Sequence, residues 1–414
     1  MTPDGEYVML FNLASFLRGI SKALDYIEED LLGVRTNHSK RIALIAMRTG
    51  QSMNMSDKEL FDLIALSLLH DNGASLTILE DSLHGDLAHR LNIIESLKKH
   101  CIIGEDNISK FKFMTNQENV IKYHHENYDG TGFFGIRGDE IPLMSQIIHL
   151  ADKLDLDMNI KDCINDPSAK ANSIAYVNKY KGIYFTPSVA DIFFTLAESD
   201  TFWYELTDGA IAEELMRNTP DFFFEYSYQE IRNITKTFSK IIDAKSSFTQ
   251  LHSSGLAEKT GKMAEFYEFD EETTQQLLIA ADLHDLGKMA VSNNILDKPG
   301  VLTAVEFEKI KIHPGVGKVC LEEIKGFERI AQWIFQHHEK LDGSGYPQGL
   351  TGEKLDFKSR LLTCLDIYQA LTEERPYRKA MDYKSAAKVL MDMAEKNLID
   401  PQIVKDIIQY LQPC

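Results

Sequence analysis

The sequence has no apolar run approaching the ~18–20 residues of a membrane span. Its start, MTPDGEYVMLFNLASFLRGISKALDYIEED, lacks a basic n-region and a continuous apolar stretch. Neither a membrane span nor a secretory leader is expected, and this start reads as an amphipathic helix interrupted by Arg18, Ser21 and Lys22. The five cysteines, Cys101, Cys163, Cys320, Cys364 and Cys414, contain no Cys-x-x-Cys pair and are odd in number. A disulfide framework is thereby disfavoured and a reduced, cytoplasmic compartment expected. Positive charge is also scarce: 44 Lys and Arg stand against 63 Asp and Glu, a formal net charge of −19. Coating a large nucleic acid needs a basic stripe, so no such partner is expected. A small phosphorylated ligand stays open, because bound metal ions reverse the sign of a pocket locally. Alternating strand patterns and hairpin signals are few.

What is present is a repeat. The 414 residues, 44% hydrophobic and 26% charged, suffice for two or three globular domains. Leu69-His70-Asp71 recurs as Leu283-His284-Asp285, HHENYDGTGFFG at 124–135 as HHEKLDGSGYPQG at 337–349, and Leu150-Ala151-Asp152 as Cys364-Leu365-Asp366. Internal spacings are kept: 32 residues from His38 to His70 and from His252 to His284, and 24 from His100 to His124 and from His313 to His337. Two copies of one domain are the simplest origin of such a register.

Between these motifs the apolar residues recur at helical spacing. In TTQQLLIAADLHD (273–285), Leu277, Leu278, Ala281 and His284 fall on neighbouring turns of one face. The first copy does the same over 57–71, with Ser56 or Asp57 as N-cap. The predicted fold class is all-α: two tandem helical bundles over 1–205 and 246–414, joined by a helical linker over 206–245. In that linker Ile231, Ile234, Phe238, Ile241 and Ile242 share one side. That face suits packing between domains, a homodimer contact, or the first helix of the second bundle. His84, His89 and His149 fall outside the repeat and read as surface or supporting residues. The aromatic runs Phe193-Phe194, Phe202-Trp203-Tyr204 and Phe222-Phe223-Phe224 read as packing rather than as a base-stacking platform.

The chemistry lies in the aligned histidines. All five of the second half, His252, His284, His313, His337 and His338, occupy repeat-matched positions beside Asp285 and Asp366. Imidazole with carboxylate suits Fe, Mn or Zn, whereas Ca and Mg prefer oxygen alone. Seven ligands exceed the three or four of one zinc. They are enough for two divalent ions ~3.5–4 Å apart, which activate a water and clamp a phosphate oxygen. The first copy keeps its own set: His38, His70, Asp71, His100, His124, His125 and Asp152.

HDLGK at 284–288 and HHEKLDGSGYP at 337–347, with KPGVLTAVEFEKIKIHPGVG at 298–317 and LDIYQALTEERPYRKA at 365–380, resemble the HD-GYP phosphodiesterases, a branch of the HD-domain metal-dependent phosphohydrolases. The likeness covers nearly all of 243–414, and residues 1–205 resemble a divergent domain of the same kind. It implies helical bundles with a binuclear Fe or Mn centre and a cyclic dinucleotide substrate, cyclic di-GMP or 3′3′-cyclic GMP-AMP. By match, His252, His284, Asp285 and Asp366 hold one ion, and Asp285, His313, His337 and His338 the other, with Asp285 bridging. Lys288 would contact the substrate phosphate. Gly345, Tyr346 and Pro347 would form the loop beside the pocket, and Arg375 and Arg378 would hold phosphate. Some relatives bind a third ion through a Glu four residues before the first histidine; Phe248 and Val34 stand there, so two ions per site are expected.

The first copy departs at the substrate groups. Lys288 corresponds to Ala74, Tyr346-Pro347 to Phe133-Phe134, Arg375 to Lys161 and Arg378 to Ile164. Metal ligands without phosphate clamps suggest binding, sensing or a different small substrate. Two rival readings of the whole chain remain: a non-catalytic sensor of metal or cyclic nucleotide, and a phosphohydrolase of mononucleotides.

Overall fold

The computed structural model describes residues 8–32, 37–73, 89–158, 160–244, 252–298, 300–322, 324–374 and 379–412. It is helical throughout, apart from one two-stranded sheet among the described residues. The all-α expectation is borne out. In chain order the elements are β1 (Val8–Asn12), α1 (Leu13–Leu32), α2 (His38–Ser52), α3 (Asp57–Leu68), α4 (His89–Ile108), α5 (Leu143–Met158), α6 (Pro167–Tyr180), α7 (Pro187–Ala197), α8 (Asp200–Glu205) and α9 (Ile211–Asn218). Then come β2 (Phe223–Ser227), α10 (Tyr228–Ala244), α11 (His252–Phe266), α12 (Glu271–Leu283), α13 (Asn293–Leu296), α14 (Ala304–Ile310), α15 (His313–Leu321), α16 (Glu328–Gln336), α17 (Phe357–Thr372), α18 (Tyr383–Glu395) and α19 (Pro401–Tyr410). Among the described residues no helix is long and apolar enough to cross a membrane.

Part of the acidic excess has a local use. Asp166, Asp270, Asp356, Asp382 and Asp400 are N-caps whose carboxylates accept from backbone N–H groups of the first helical turn. In the first copy Ser56 caps α3 in a reciprocal box with Glu59, which settles the choice between Ser56 and Asp57.

The chain forms two compact units, residues 28–222 and residues 1–27 with 223–414. The division differs from the 1–205, 206–245 and 246–414 expected from the repeat. The reason is strand pairing: β1 runs antiparallel to β2, with Val8 opposite Ser227 and Asn12 opposite Phe223. From Val8 onward the chain therefore joins the C-terminal unit as a strand followed by a helix, where the sequence suggested a helix alone. Phe11 and Phe16 lie 5.3 Å apart, and Tyr226, Phe238 and Phe327 close around them. The apolar side of α10 is taken up within the same unit. Ile231, Ile234, Phe238, Ile241 and Ile242 are all buried, and α10 packs on α12. Burying each such side chain contributes about 1.5–3 kcal/mol, an upper figure because the unfolded chain already hides some surface. Of the three roles open to this segment, the first helix of the second bundle is the one observed.

In the unit of 28–222, α2 packs on α3 and α5, and α7 closes against α2. Phe193, Phe202 and Trp203 are buried there, and the Trp203 indole donates to the Ala197 carbonyl at 2.9 Å. Tyr204 and Phe223 are exposed, so the packing role of the aromatic runs is partial.

Candidate metal centres

Four ligands of the second copy sit at helix ends, while Asp366 lies inside α17. His252 begins α11 and His313 begins α15, while His284 and His337 are the C-caps of α12 and α16. A helix end leaves carbonyls unpaired. The Nδ1 of His284 meets the Ala281 carbonyl at 2.9 Å, and that of His337 meets the Ile334 carbonyl at 2.5 Å. His313 does the same with Ile310 at 2.7 Å. An Nδ1–H donated to a carbonyl fixes the tautomer and leaves the Nε2 lone pair for a metal.

Those Nε2 atoms converge. Asp285 Oδ2 is 3.2 Å from His284 Nε2, and Asp285 Oδ1 is 3.5 Å from His313 Nε2. His313 and His337 bring their Nε2 atoms to 3.3 Å. Asp366 Oδ1 lies 3.1 Å from His252 Nε2 and 4.0 Å from His284 Nε2, and its Oδ2 lies 3.8 Å from His338 Nδ1. All seven expected ligands are thus brought together. His284 Nε2 and Asp285 Oδ1 are buried with no hydrogen-bond partner. Two such orphans would be costly unless an ion satisfies them. The donor set, nitrogen and carboxylate oxygen, fits Fe, Mn or Zn. Lys288 places Nζ 2.6 Å from Asp285 Oδ2, so the expected phosphate-binding ammonium borders the ligand cluster.

The first copy repeats the arrangement. Asp71 Oδ1 lies 3.3 Å from His100 Nε2 and 3.5 Å from His124 Nε2, while Asp71 Oδ2 is 3.5 Å from His70 Nε2. Each carboxylate oxygen faces a different histidine group, as a bridge between two ions requires. Asp152 Oδ1 is 3.4 Å from His38 and 3.9 Å from His70, and its Oδ2 is 3.6 Å from His125.

An HD domain family model matches residues 26–189 and 236–403, the two copies in turn. The chain belongs to the HD domain family. Relatives of this HD domain chain include 3′3′-cGAMP-specific phosphodiesterase 1 of Vibrio cholerae serotype O1, 28% identical over 410 residues, which are 97% of this chain and 92% of that one. A second, 3′3′-cGAMP-specific phosphodiesterase 3 of the same organism, is 29% identical over 447 residues, covering 95% and 93%. A crystal structure of a cyclic GMP-AMP specific phosphodiesterase of V. cholerae matches with a TM-score of 0.69 at 25% identity, over 98% of this chain and 99% of that one. The resemblance to the HD-GYP phosphodiesterases is borne out.

Each HD copy has supporting carboxylates that the motifs did not announce. In the second, Glu373 Oε2 takes His252 Nδ1 at 2.9 Å, and Gln369 donates to Glu373. In the first, Asp155 Oδ2 takes His38 Nδ1 at 2.7 Å and is held by the buried Arg41 guanidinium. Both orient the first histidine of their copy, as outer-shell carboxylates do. Asp155 aligns with Gln369, not Glu373, so the same role comes from positions a helical turn apart. That shift hides it from a residue-by-residue comparison.

The loop after the paired histidines is anchored by a buried glutamate in both copies. Glu339 accepts from the backbone N–H of Gln348 at 2.7 Å and of Leu350 at 2.9 Å. Glu126 does so from Phe134 and Ile136. A Cβ on Gly345 would come within 2.6 Å of Glu339 and Lys340 backbone atoms, so only glycine fits there. Tyr346 then lies 4.8 Å from the His338 ring, and Phe133 takes the matching place 5.6 Å from His125. Pro347 follows Tyr346 in this loop. Replacing Glu339 with Ala strands two N–H groups at about 1–3 kcal/mol each. The expected result is a thermal midpoint several degrees lower and weaker substrate binding. An unchanged melting curve would show that the loop is held otherwise.

His149 is buried, and its imidazole meets the His124 carbonyl at 3.1 Å and Asn127 Oδ1 at 3.2 Å, a supporting place. Ile164 and Lys161 provide no paired guanidinium. Arg375, Arg378, Ala74, His84, Phe248 and Val34 lie outside the described residues, as does the side chain of His89.

Charge in the second centre is uneven. Burial opposes a proton on His252, but Asp366 and Glu373 outweigh it and push its pKa up to about 10. Burial pulls His313 down to about 3 and His337 to about 4. Burial also raises Asp285, yet His284 and Lys288 beside it hold it well below the usual carboxylate range. Metal-free His252 therefore carries a proton at neutral pH, while His313 and His337 do not. A metal needs the lone pair, so loading must expel the His252 proton. Affinity at that position should fall as pH falls, about tenfold per unit below the raised pKa. Titrating metal-free protein with Mn(II) in buffers of different ionisation heat should show proton release between pH 6 and 8. Heats independent of the buffer would contradict the assignment.

Proposed function

We propose that the second copy is a metal-dependent phosphodiesterase that opens a cyclic dinucleotide, with cyclic di-GMP and 3′3′-cyclic GMP-AMP as the candidates. The observation that carries this is the convergence of seven His and Asp ligands, all buried but the half-buried His338, two of whose inward atoms lack partners, beside the ammonium of Lys288. His252, His284, Asp285 and Asp366 would hold one ion, and Asp285, His313, His337 and His338 a second. Such a pair supplies activated water and charge stabilisation of the phosphoryl oxygens.

The chain's own groups do the rest. The Nδ1–carbonyl bonds of His284, His313 and His337 hold the ligand rings without rearrangement. Lys288 sets a positive charge where a non-bridging phosphate oxygen gains charge in the transition state. By the family match Arg375 and Arg378 would hold phosphate, and the Tyr346 ring lies beside that of His338, where it would border the substrate. The oxygen of water gives up a proton and bonds to phosphorus in line, the bond to the 3′ oxygen breaks, and the departing oxygen takes a proton to give the linear dinucleotide.

The first copy serves as a metal-binding regulatory partner, because its ligands are present while Lys288 is replaced by Ala74 and Arg378 by Ile164. The test is anaerobic purification, metal analysis, and incubation with cyclic di-GMP and 3′3′-cyclic GMP-AMP side by side. Linear product from either supports the reading. No product from fully loaded, folded protein with Fe(II) or Mn(II) would refute it.

A further inference from the structure

The first copy places a thiol among its histidines. Cys101 follows His100 in α4 and is fully buried, with Sγ 3.5 Å from His100 Nε2. The ligand atoms of His100, Cys101, His124 and His125 all lie within 4.8 Å of one another. A metal–sulfur bond of ~2.3 Å and a metal–nitrogen bond of ~2.0–2.1 Å at the tetrahedral angle put sulfur and nitrogen about 3.6 Å apart. At the right angle of an octahedron the same bonds would bring them to about 3.1 Å. The observed 3.5 Å lies within the range that two ligands of one ion span. A second observation points the same way: His124 gives Nδ1 to the Ile121 carbonyl, and its Nε2 is buried with no hydrogen-bond partner.

Buried cysteines are common as small apolar residues, and Cys163, Cys320 and Cys364 are buried here too. Cys101 differs in its neighbours. Among the described residues, it is the one cysteine found in a group able to hold a metal. The second copy carries Pro314 after His313, which offers no ligand atom.

We propose that the first copy binds an ion through the Cys101 thiolate together with His100, His124 and His125, so that one chain carries two metal centres of different chemical kind. This rests on the reading of the first copy as a metal site. On binding, the thiol loses its proton to solvent and the sulfur–metal bond forms. A thiolate favours Zn(II), Co(II) or Fe(II) over Mn(II). It also fills a position that water or a phosphate oxygen would otherwise take.

The test is Co(II) loading of the full-length, metal-free protein without oxygen. The expected result is a thiolate-to-cobalt charge-transfer band in the near ultraviolet. Cys101→Ser should remove the band, and His124→Ala should lower the number of bound Co(II) ions. Co(II) bound with His124→Ala-sensitive stoichiometry but no such band would overturn the proposal and leave the metal-site reading standing. A band that survives Cys101→Ser would also overturn it. Stoichiometry unmoved by His124→Ala would sink both. Absence of the band from the wild-type spectrum overturns the proposal without any variant, so a variant that fails to fold does not rescue the idea.

Discussion

Asp285→Ala is expected to abolish hydrolysis, to below about 0.1% of the wild-type rate, and to empty the second copy of metal. The carboxylate touches both halves of the ligand cluster: one oxygen faces His284 and Lys288, the other His313. Alanine removes the carboxylate proposed to serve both ions and leaves the Lys288 ammonium without its counter-charge. Ligands that act as a unit fail as a unit, so loss of the shared member costs nearly as much as loss of the site. Metal analysis and a turnover assay check this together. Normal metal content in the variant would disprove the bridging role.

Lys288→Ala should behave in another way. An ammonium is not a ligand, so metal content should persist, while turnover should fall by ~10²–10³, the loss of one preorganised charge at the transition state. The substitution also frees Asp285 from a 2.6 Å ion pair, which can only help an ion compete for it. Unchanged turnover would move the phosphate contact elsewhere. Loss of metal would make Lys288 a structural support of Asp285.

The site was legible in the sequence because most of its ligands in the second copy stand at helix ends. There the spacing is fixed by helix length, and a domain duplication writes several of the spacings twice. His284 and His337 are C-caps, and Asp285 is the next residue after one of them, so local chain geometry settles most of the cluster. The supporting carboxylates were not legible: Glu373 and Asp155 serve equivalent histidines from positions that do not align. The pairing of Val8–Asn12 with Phe223–Ser227 was hidden for a different reason. Each strand alone is a short apolar run, and nothing local says that its partner lies two hundred residues away. That pairing carries the first 27 residues into the C-terminal unit. Cutting the chain at 205 and 246 would therefore separate β1 and α1 from the unit that buries Phe11 and Phe16. Comparisons between the copies belong in the full-length protein.

The most direct test of the division of labour is the turnover of full-length Asp71→Ala, measured beside Asp285→Ala with metal counted in both. Asp71 holds the same place in the first copy, between His70 on one side and His100 and His124 on the other. The expected result is that Asp71→Ala lowers the first copy's metal content yet hydrolyses the cyclic dinucleotide at a rate within a few-fold of wild type, while Asp285→Ala does not turn over. A collapse of turnover in Asp71→Ala with the second copy still fully loaded would contradict it, and would make both copies part of the catalytic machinery.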